Sequence, residues 1–418
     1  MTTLLYFEEY ESNLSRELLN RKDIMPIIIR TNKNMKFFNE SYLELTKGIL
    51  NYVIDYYNEI DNEVLKFKKW LEDNNIKIDY FLNDSEYYLE FSNKFARKLG
   101  LYALSDEQIR WVRDKVDMKK KFREIGLDTV DFKKINSKDE LKNFFVGNGS
   151  KRIIFKPRRG MNSIKTYMIN SLEDIDGLEI DIIPGKYMAE DFCYDREWSI
   201  ESLVQDGEVL DSYVTYIPNP TIWASISNDL NCHMTVPKIP SYFKFVPKEF
   251  IQQIVSGMNL KDGAMTIEVF ISNDGNIKAS ELGWRLPGCQ ATLNHSYSYG
   301  IDIYNLLLDI AIHKKVNLKY QDKIVSVGDL YLPNKEGLIE QITPLEELLK
   351  MDGAIGGELF VKIGEYQKKR QVGNDASGWV QVLGENEFDT LQKMQKIYDI
   401  FEIEVSNDMG GKKYVKKL

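Results

Sequence analysis

A chain of 418 residues suggests two to four domains or lobes, and its 43% apolar content with 24 Tyr and 20 Phe supports packed cores, which excludes a disordered chain. A formal net charge of −9 gives no broad basic surface and argues against nucleic acid as the main partner. The widely spaced Cys193, Cys232 and Cys289, the early acidic residues of the N-terminus and the lack of any long apolar run point to a cytoplasmic protein, away from membranes.

Over residues 1–112, Leu4–Phe7 and Ile24–Arg30 read as buried strands, with Ile76–Leu82 and Leu101–Leu104 as weaker candidates. Tyr42–Tyr57 and Asn62–Asp73 carry apolar residues at helical spacing, so this unit is expected to be an open α/β domain. It lacks the GxGxxG that a dinucleotide site would place after the first strand. Residues 113–195 begin with a helix, Arg113–Ile125, ending at Gly126. A strand Phe132–Ser137, a helix Lys138–Phe145 and strands Lys151–Lys156, Ser163–Ile169 and Tyr187–Phe192 follow.

Residues 196–320 supply a strand Glu197–Val204, a turn at Gln205-Asp206-Gly207 and a strand running to Ile217. A long loop rich in Pro, Asn and Ser, Pro218–Pro240, precedes a helix Pro247–Met258, strands Ala264–Ser272 and Asn276–Gly283, and a helix Ile301–His313. Residues 321–418 read as a small separate α+β unit, with strands near Val327–Leu332, Gly356–Ile363 and Gly378–Gly384 and helices near Pro344–Met351 and Glu387–Phe401. The basic tail Gly410–Lys417 reads as a solvated terminus.

The sharpest chemical signal is a hairpin. Asp274-Gly275 between Thr266–Phe270 and Ala279–Glu281 is a strong two-residue turn signal. With those two residues as the loop, Glu268 lies directly opposite Glu281, their Cβ atoms roughly 4.5–5.5 Å apart, where like charges are destabilising. Such a pair shares a proton, holds a hard divalent cation together with substrate phosphates, or faces solvent on both sides. Arg285, four residues on in a Gly-flanked loop, offers planar recognition of carboxylate or phosphate. Lys156 ends an apolar strand and runs into Pro157-Arg158-Arg159-Gly160-Met161-Asn162-Ser163, a turn able to aim N–H groups at phosphate; it is not a P-loop. Tyr187–Cys193 and then Glu197 form an acidic–aromatic strand end, and Arg113–Lys119 opens a charged helix; each alone reads as solvated charge.

Taken in order, Asp114-Lys115, Lys156 with its Gly/Ser loop, Glu190 to Glu197, Glu268, and Glu281 with Arg285 resemble the ATP-grasp superfamily over roughly residues 110–310. The resemblance implies an N-terminal α/β domain, two lobes clamping ATP and a C-terminal α+β unit. It implies that Lys115 and Lys156 contact ATP phosphates under the loop Gly160–Ser163. Glu190, Asp191, Phe192 and Cys193 would be the adenine hinge, Glu197 the ribose ligand, and Glu268 and Glu281 the ligands of Mg²⁺, with Mn²⁺ as an alternative. Arg285 would hold the substrate carboxylate or developing acyl phosphate and, with Lys156, carry the catalysis.

Within the superfamily the sequence is most similar to L-amino-acid ligases, through Glu281-Leu282-Gly283-Trp284-Arg285 and the extra C-terminal unit. Two positions depart from the pattern: Gly283 stands where many members have Asn, and the phosphate loop has a single Gly. The implied activity joins a small carboxylate to an amine through an acyl phosphate. Rivals are loading of an amino acid onto a carrier protein and a non-catalytic nucleotide-binding protein, and a homodimer is compatible with either. Gly288 and His295, in and just past the Arg285 loop, and Trp223, in the long loop with Asn228, His233 and Met234, complete the candidate substrate residues. No general base stands out among His233, His295 and His313.

Overall fold

The computed structural model describes residues 1–220, 229–369 and 375–406. Trp223, Asn228 and the basic tail lie outside the described residues. The N-terminal unit is a parallel sheet of order β3-β2-β1-β4 built from β1 (Thr2–Phe7), β2 (Ile24–Thr31), β3 (Leu50–Ile54) and β4 (Tyr80–Asn83). Continuous apolar runs suit strands covered on both faces, and Leu4, Leu5, Ile27, Ile28 and Ile29 are all fully buried. Helices α1 (Asn13–Asn20), α2 (Glu40–Leu45), α3 (Ile60–Asp73) and α4 (Leu89–Lys98) complete the unit.

Two local expectations fail here. Tyr42–Tyr57 is not one helix: α2 stops at Thr46 and the chain becomes β3, because pairing Leu50–Ile54 beside Ile27–Thr31 outweighs the helical spacing. Leu101–Leu104 is not a strand; it leaves Gly100 as an extended connection pinned by Leu104 N–H donating to Asn93 Oδ1 at 2.8 Å. The predicted helix from Arg113 is also divided. α5 (Asp106–Arg113) ends, Asp114 turns extended, and its carboxylate accepts from the N–H groups of Val116 and Asp117 to start α6 (Lys115–Glu124).

The next lobe is a four-stranded antiparallel sheet, β5 (Phe132–Ile135), β6 (Ile153–Pro157), β7 (Tyr167–Ile169) and β8 (Tyr187–Asp191), in the order β5-β8-β6-β7. Its apolar face packs on α7 (Lys138–Gly147) and α8 (Leu172–Asp176) through Leu141, Phe145 and Ile175. β7 starts at Tyr167, later than predicted, because Asn162, Ser163 and Lys165 have left-handed backbones that cannot join a strand.

The large lobe holds β9 (Arg196–Gln205), β10 (Glu208–Tyr216), β11 (Asn231–Thr235), α9 (Pro247–Gly257), β12 (Gly263–Ile271), β13 (Ile277–Gly283), α10 (Ala291–Tyr299) and α11 (Ile303–Ala311). The segment expected to be one long loop thus contains a strand, anchored by buried Cys232 and Met234. The C-terminal region adds β14 (Ser326–Leu332), β15 (Gly337–Ile342), α12 (Leu345–Leu348), β16 (Ala354–Leu359), β17 (Tyr366–Gln367), β18 (Gly378–Gly384), α13 (Glu387–Ile400) and β19 (Ile403–Ser406).

This last region is less separate than its sequence suggests. β14, β18 and β16 extend the large lobe's sheet, whose order is β13-β12-β9-β10-β11-β14-β18-β16, and only β17, β15 and β19 form a small sheet of their own. Strand alternation gives the large sheet two unlike faces. Trp198, Ile200, Ile267 and Val269 point into a core with Ile251, Ile254 and Val255 of α9 and Val112 and Phe122 of α5 and α6. Glu197, Ser199, Glu201 and Glu268, on the opposite face, line a cavity. Among the described residues, no helix is long and apolar enough to cross a membrane.

Candidate active site

Glu268 and Glu281 face each other across β12 and β13, and Glu268 is also opposite Ser199 on β9. The pairing is the predicted one, reached by a different route. Ser272 N–H donates to Asn276 O at 3.0 Å and Gly275 N–H to Ser272 O at 2.9 Å, so the turn is one residue longer than Asp274-Gly275 alone. Below it the pairs run Ile271↔Ile277 and Val269↔Ala279, and a bulge then leaves Ser280 without a partner and restores Glu268↔Glu281. Gly275 is required in this turn: its φ is +82°, and a Cβ there would lie 1.8 Å from the carbonyl oxygen of Tyr242.

Burial, with the charges of Glu281 and Glu197, pushes the Glu268 carboxyl well above its ordinary value. Burial acts on Glu281 in the same sense, but Lys115 and Lys156 outweigh it and hold that carboxyl below its ordinary value. Lys115 Nζ lies 2.5 Å from Glu281 Oε1, and Lys156 Nζ lies 3.7 Å from Oε2. Two adjacent carboxylates, one of them electrostatically destabilised and with Glu197 close by, form an all-oxygen donor set suited to Mg²⁺ or Mn²⁺.

The two lysines come from different elements. Lys156 sits in β6 and reaches Glu190 Oε1 at 2.6 Å; burial lowers its pKa, but Glu190 and Glu281 outweigh that and raise it. Lys115 is the first residue of α6 and also donates to Gly160 O at 3.0 Å. The start of α6 is stapled to the phosphate-loop candidate: Lys115 N–H donates to Arg158 O, and Arg158 and Arg159 both bind Asp114. Gly160 and Ser163 line the cavity.

The expected hinge is only partly open. The Glu190 side chain is clamped between Lys156 and Lys119, whose Nζ is 3.2 Å from Oε2. Burial raises its pKa, and the two lysines outweigh that and hold the carboxyl down at about 2. The N–H groups of Asp191 and Phe192 already donate to Asp131 and Arg152 carbonyls. Asp191, Phe192, Cys193 and Glu197 nonetheless line the cavity.

Arg285 and Gly288 line it as well. Arg285 Nε donates to Glu86 Oε2 at 2.8 Å, and Glu86 also pairs with Arg113. Leu286 N–H donates to Asp84 Oδ1 at 2.7 Å. The arginine loop is thereby docked on the connection that follows β4 of the first unit.

His295 is a correction. It is fully buried on α10, outside the cavity, with Nε2 at 2.9 Å from both Glu201 Oε2 and Thr215 Oγ1. Helix α10, unforeseen in the sequence, turns it inward against β9 and β10, so it touches the site through Glu201. His233 does line the cavity, with Nδ1 at 3.2 Å from Asp329 Oδ2. Asp329 accepts from Asn294 Nδ2 at 2.6 Å, and Asn294 Oδ1 accepts from Gln381 Nε2. Burial lowers the His233 pKa, and Asp329 outweighs that and raises it.

Glu86 and Asp329 escaped sequence reasoning, and Lys119 and Glu201, though inside segments it singles out, receive no role of their own there. Lys119 alone had a usable signal, four residues beyond Lys115 on the same helix face. The cavity that Glu86 and Glu201 help to line measures about 280 Å³.

No family model matches this sequence. An L-arginine-specific L-amino acid ligase of Bacillus subtilis is 21% identical over 304 residues, covering 70% of this chain and 72% of the relative. An L-amino acid ligase from Bacillus licheniformis superposes with a TM-score of 0.76 at 15% identity over 97% of this chain and 99% of the other. N5-carboxyaminoimidazole ribonucleotide synthetase from Thermotoga maritima gives 0.66 at 14% identity over 97% and 100%. The biotin carboxylase domain of a Hydrogenobacter thermophilus 2-oxoglutarate carboxylase, solved with MgADP, gives 0.62 at 13% identity over 96% and 90%.

Proposed function

We propose that this chain, which has the ATP-grasp fold, is an ADP-forming carboxylate–amine ligase that acts on amino acids. The observation that carries the reading is the Glu268–Glu281 pair, met within 4 Å of Glu281 by two lysines from different elements. In this reading a substrate carboxylate oxygen attacks the γ-phosphorus of ATP, ADP leaves, and an amine displaces phosphate from the acyl phosphate. Phosphoryl transfer depends mainly on positioning and charge neutralisation, which is what this residue set offers.

Lys115 and Lys156 hold phosphate oxygens, trading Glu281 for the nucleotide when it binds, and the loop from Gly160 to Ser163 covers them. Glu268 and Glu281 hold the divalent cation, which supplies Lewis-acid neutralisation of the transferring group. Cys193, next to the occupied hinge amides, faces the base, and Glu197 faces the ribose. Arg285, oriented by Glu86, holds the substrate carboxylate and then the tetrahedral oxyanion. Gly288 leaves room for the chain of the substrate beside it. His233, fixed by Asp329, whose charge favours the protonated ring, suits a second anionic group on the substrate.

The test is phosphate release from ATP and Mg²⁺ over a panel of amino acids, with mass spectrometry of the products. Amino-acid-dependent release with a dipeptide mass, lost in Glu268→Gln, is expected. Nucleotide binding without turnover across the panel would leave the non-catalytic reading instead.

A further inference from the structure

We propose that Lys119 is a positioning residue of the metal centre: its ammonium ties the bulge carbonyl of Ser280 to the Glu190 carboxylate, fixing the register of Glu281 and the aim of Lys156. The inference rests on the reading of Glu268 and Glu281 as metal ligands.

Lys119 is fully buried on α6, and its Nζ meets three oxygens: Ser280 O at 3.0 Å, Thr129 Oγ1 at 3.2 Å and Glu190 Oε2 at 3.2 Å. The first two contacts are hydrogen bonds and the third is an ion pair, and each of these neighbours offers the ammonium an oxygen. It does not line the cavity. Burying a charge merely to fill space is costly compared with an apolar side chain of the same volume, which points to a use for the charge.

That use is visible in the hairpin. Continued straight from Val269↔Ala279, the ladder would set Ser280 opposite Glu268 and Glu281 opposite Ile267. A one-residue slip turns every following side chain to the other face. Glu281 would then point with Ile267 into the apolar core of Ile200, Ile251 and Ile254. The Ser280 bulge prevents this, and its carbonyl receives the Lys119 ammonium in place of a ladder partner. The same ammonium holds the second oxygen of Glu190, whose first oxygen steers Lys156.

Two variants test this. Lys119→Met removes the charge at similar length, and Thr129→Val removes one of its three acceptors without unpairing Glu190. Each is titrated calorimetrically with Mn²⁺ in the presence of saturating ADP, and with ADP alone. Outer-shell partners typically change metal affinity 10–100-fold, so the Mn²⁺ Kd should rise about tenfold or more in Lys119→Met and about threefold or more in Thr129→Val. The metal-free ADP Kd should rise several-fold less than the Mn²⁺ Kd, because Lys119 lies outside the cavity and reaches the nucleotide only through Glu190 and Lys156. Smaller rises in Mn²⁺ Kd for folded variants, or equal losses for metal and ADP, overturn the proposal. If Lys119→Met does not fold, the Thr129→Val titration decides. Absent Mn²⁺ binding by the unaltered protein would sink the metal-ligand reading itself, a result distinct from normal binding that the variants leave intact.

Discussion

Asp84 offers a test of how the arginine loop is held. Its carboxyl accepts the Leu286 N–H at 2.7 Å, yet burial pushes it up to about 7 from an ordinary value of 3.8, with the Leu286 bond and the Arg285 charge only partly opposing. The folded chain therefore keeps a proton that the unfolded chain sheds. Stability is greatest below the unfolded value, falls as pH rises from about 4 to about 7, and is level beyond. At about 1.4 kcal/mol per pH unit, three units amount to roughly 4 kcal/mol, an upper value because the denatured ensemble is not fully solvated.

Asp84→Asn keeps an acceptor for Leu286 and removes the titration. The variant should match the original protein near pH 4 and exceed it by roughly 2–4 kcal/mol near pH 8. Urea unfolding of metal-free protein at pH 4, 6 and 8 measures the difference. A variant that is less stable at pH 8, or a difference independent of pH, refutes the account, because both would mean that the ionised carboxylate is the stabilising form.

Arg285→Lys keeps a positive charge but loses the planar fork that meets Glu86 and a carboxylate together. Turnover should fall by about 10²–10³-fold, with the ADP Kd nearly unchanged in calorimetry. Replacing His295 by Ala removes one of the three side chains that hydrogen-bond Glu201, which keeps Ser199 and Thr215, and should cost about 1–3 kcal/mol in thermal unfolding. At temperatures where that variant stays folded, its amino-acid KM should remain within about twofold of the original. A raised KM without loss of stability would restore a direct substrate contact for His295.

Much of the candidate site's geometry was legible because it is carried by short segments: Lys156 at a strand end, Glu268 and Glu281 flanking a turn, Arg285 just beyond. Even so, the Glu268–Glu281 pairing was right through two errors that cancel, a turn one residue longer than assumed and a bulge at Ser280. The bulge was invisible because its carbonyl is satisfied by a lysine 161 residues away. Glu86 was equally out of reach, since it meets Arg285 across 199 residues. The helix expected over Tyr42–Tyr57 failed for a related reason, strand pairing with a distant neighbour deciding what local periodicity did not. His295 was misplaced because nothing in its own segment announces α10.

The shared sheet has a consequence for how the protein is made. His233 takes its orientation from Asp329 on β14, and Asn294, which grips Asp329, is itself held by Gln381 on β18. A nascent chain that already contains every lysine, carboxylate and arginine of the proposed nucleotide centre still lacks the wall behind this imidazole. That wall is finished only once Gln381 on β18 has been made, so a chain cut between β14 and β18 should lose the hold on this imidazole while keeping an apparently intact core.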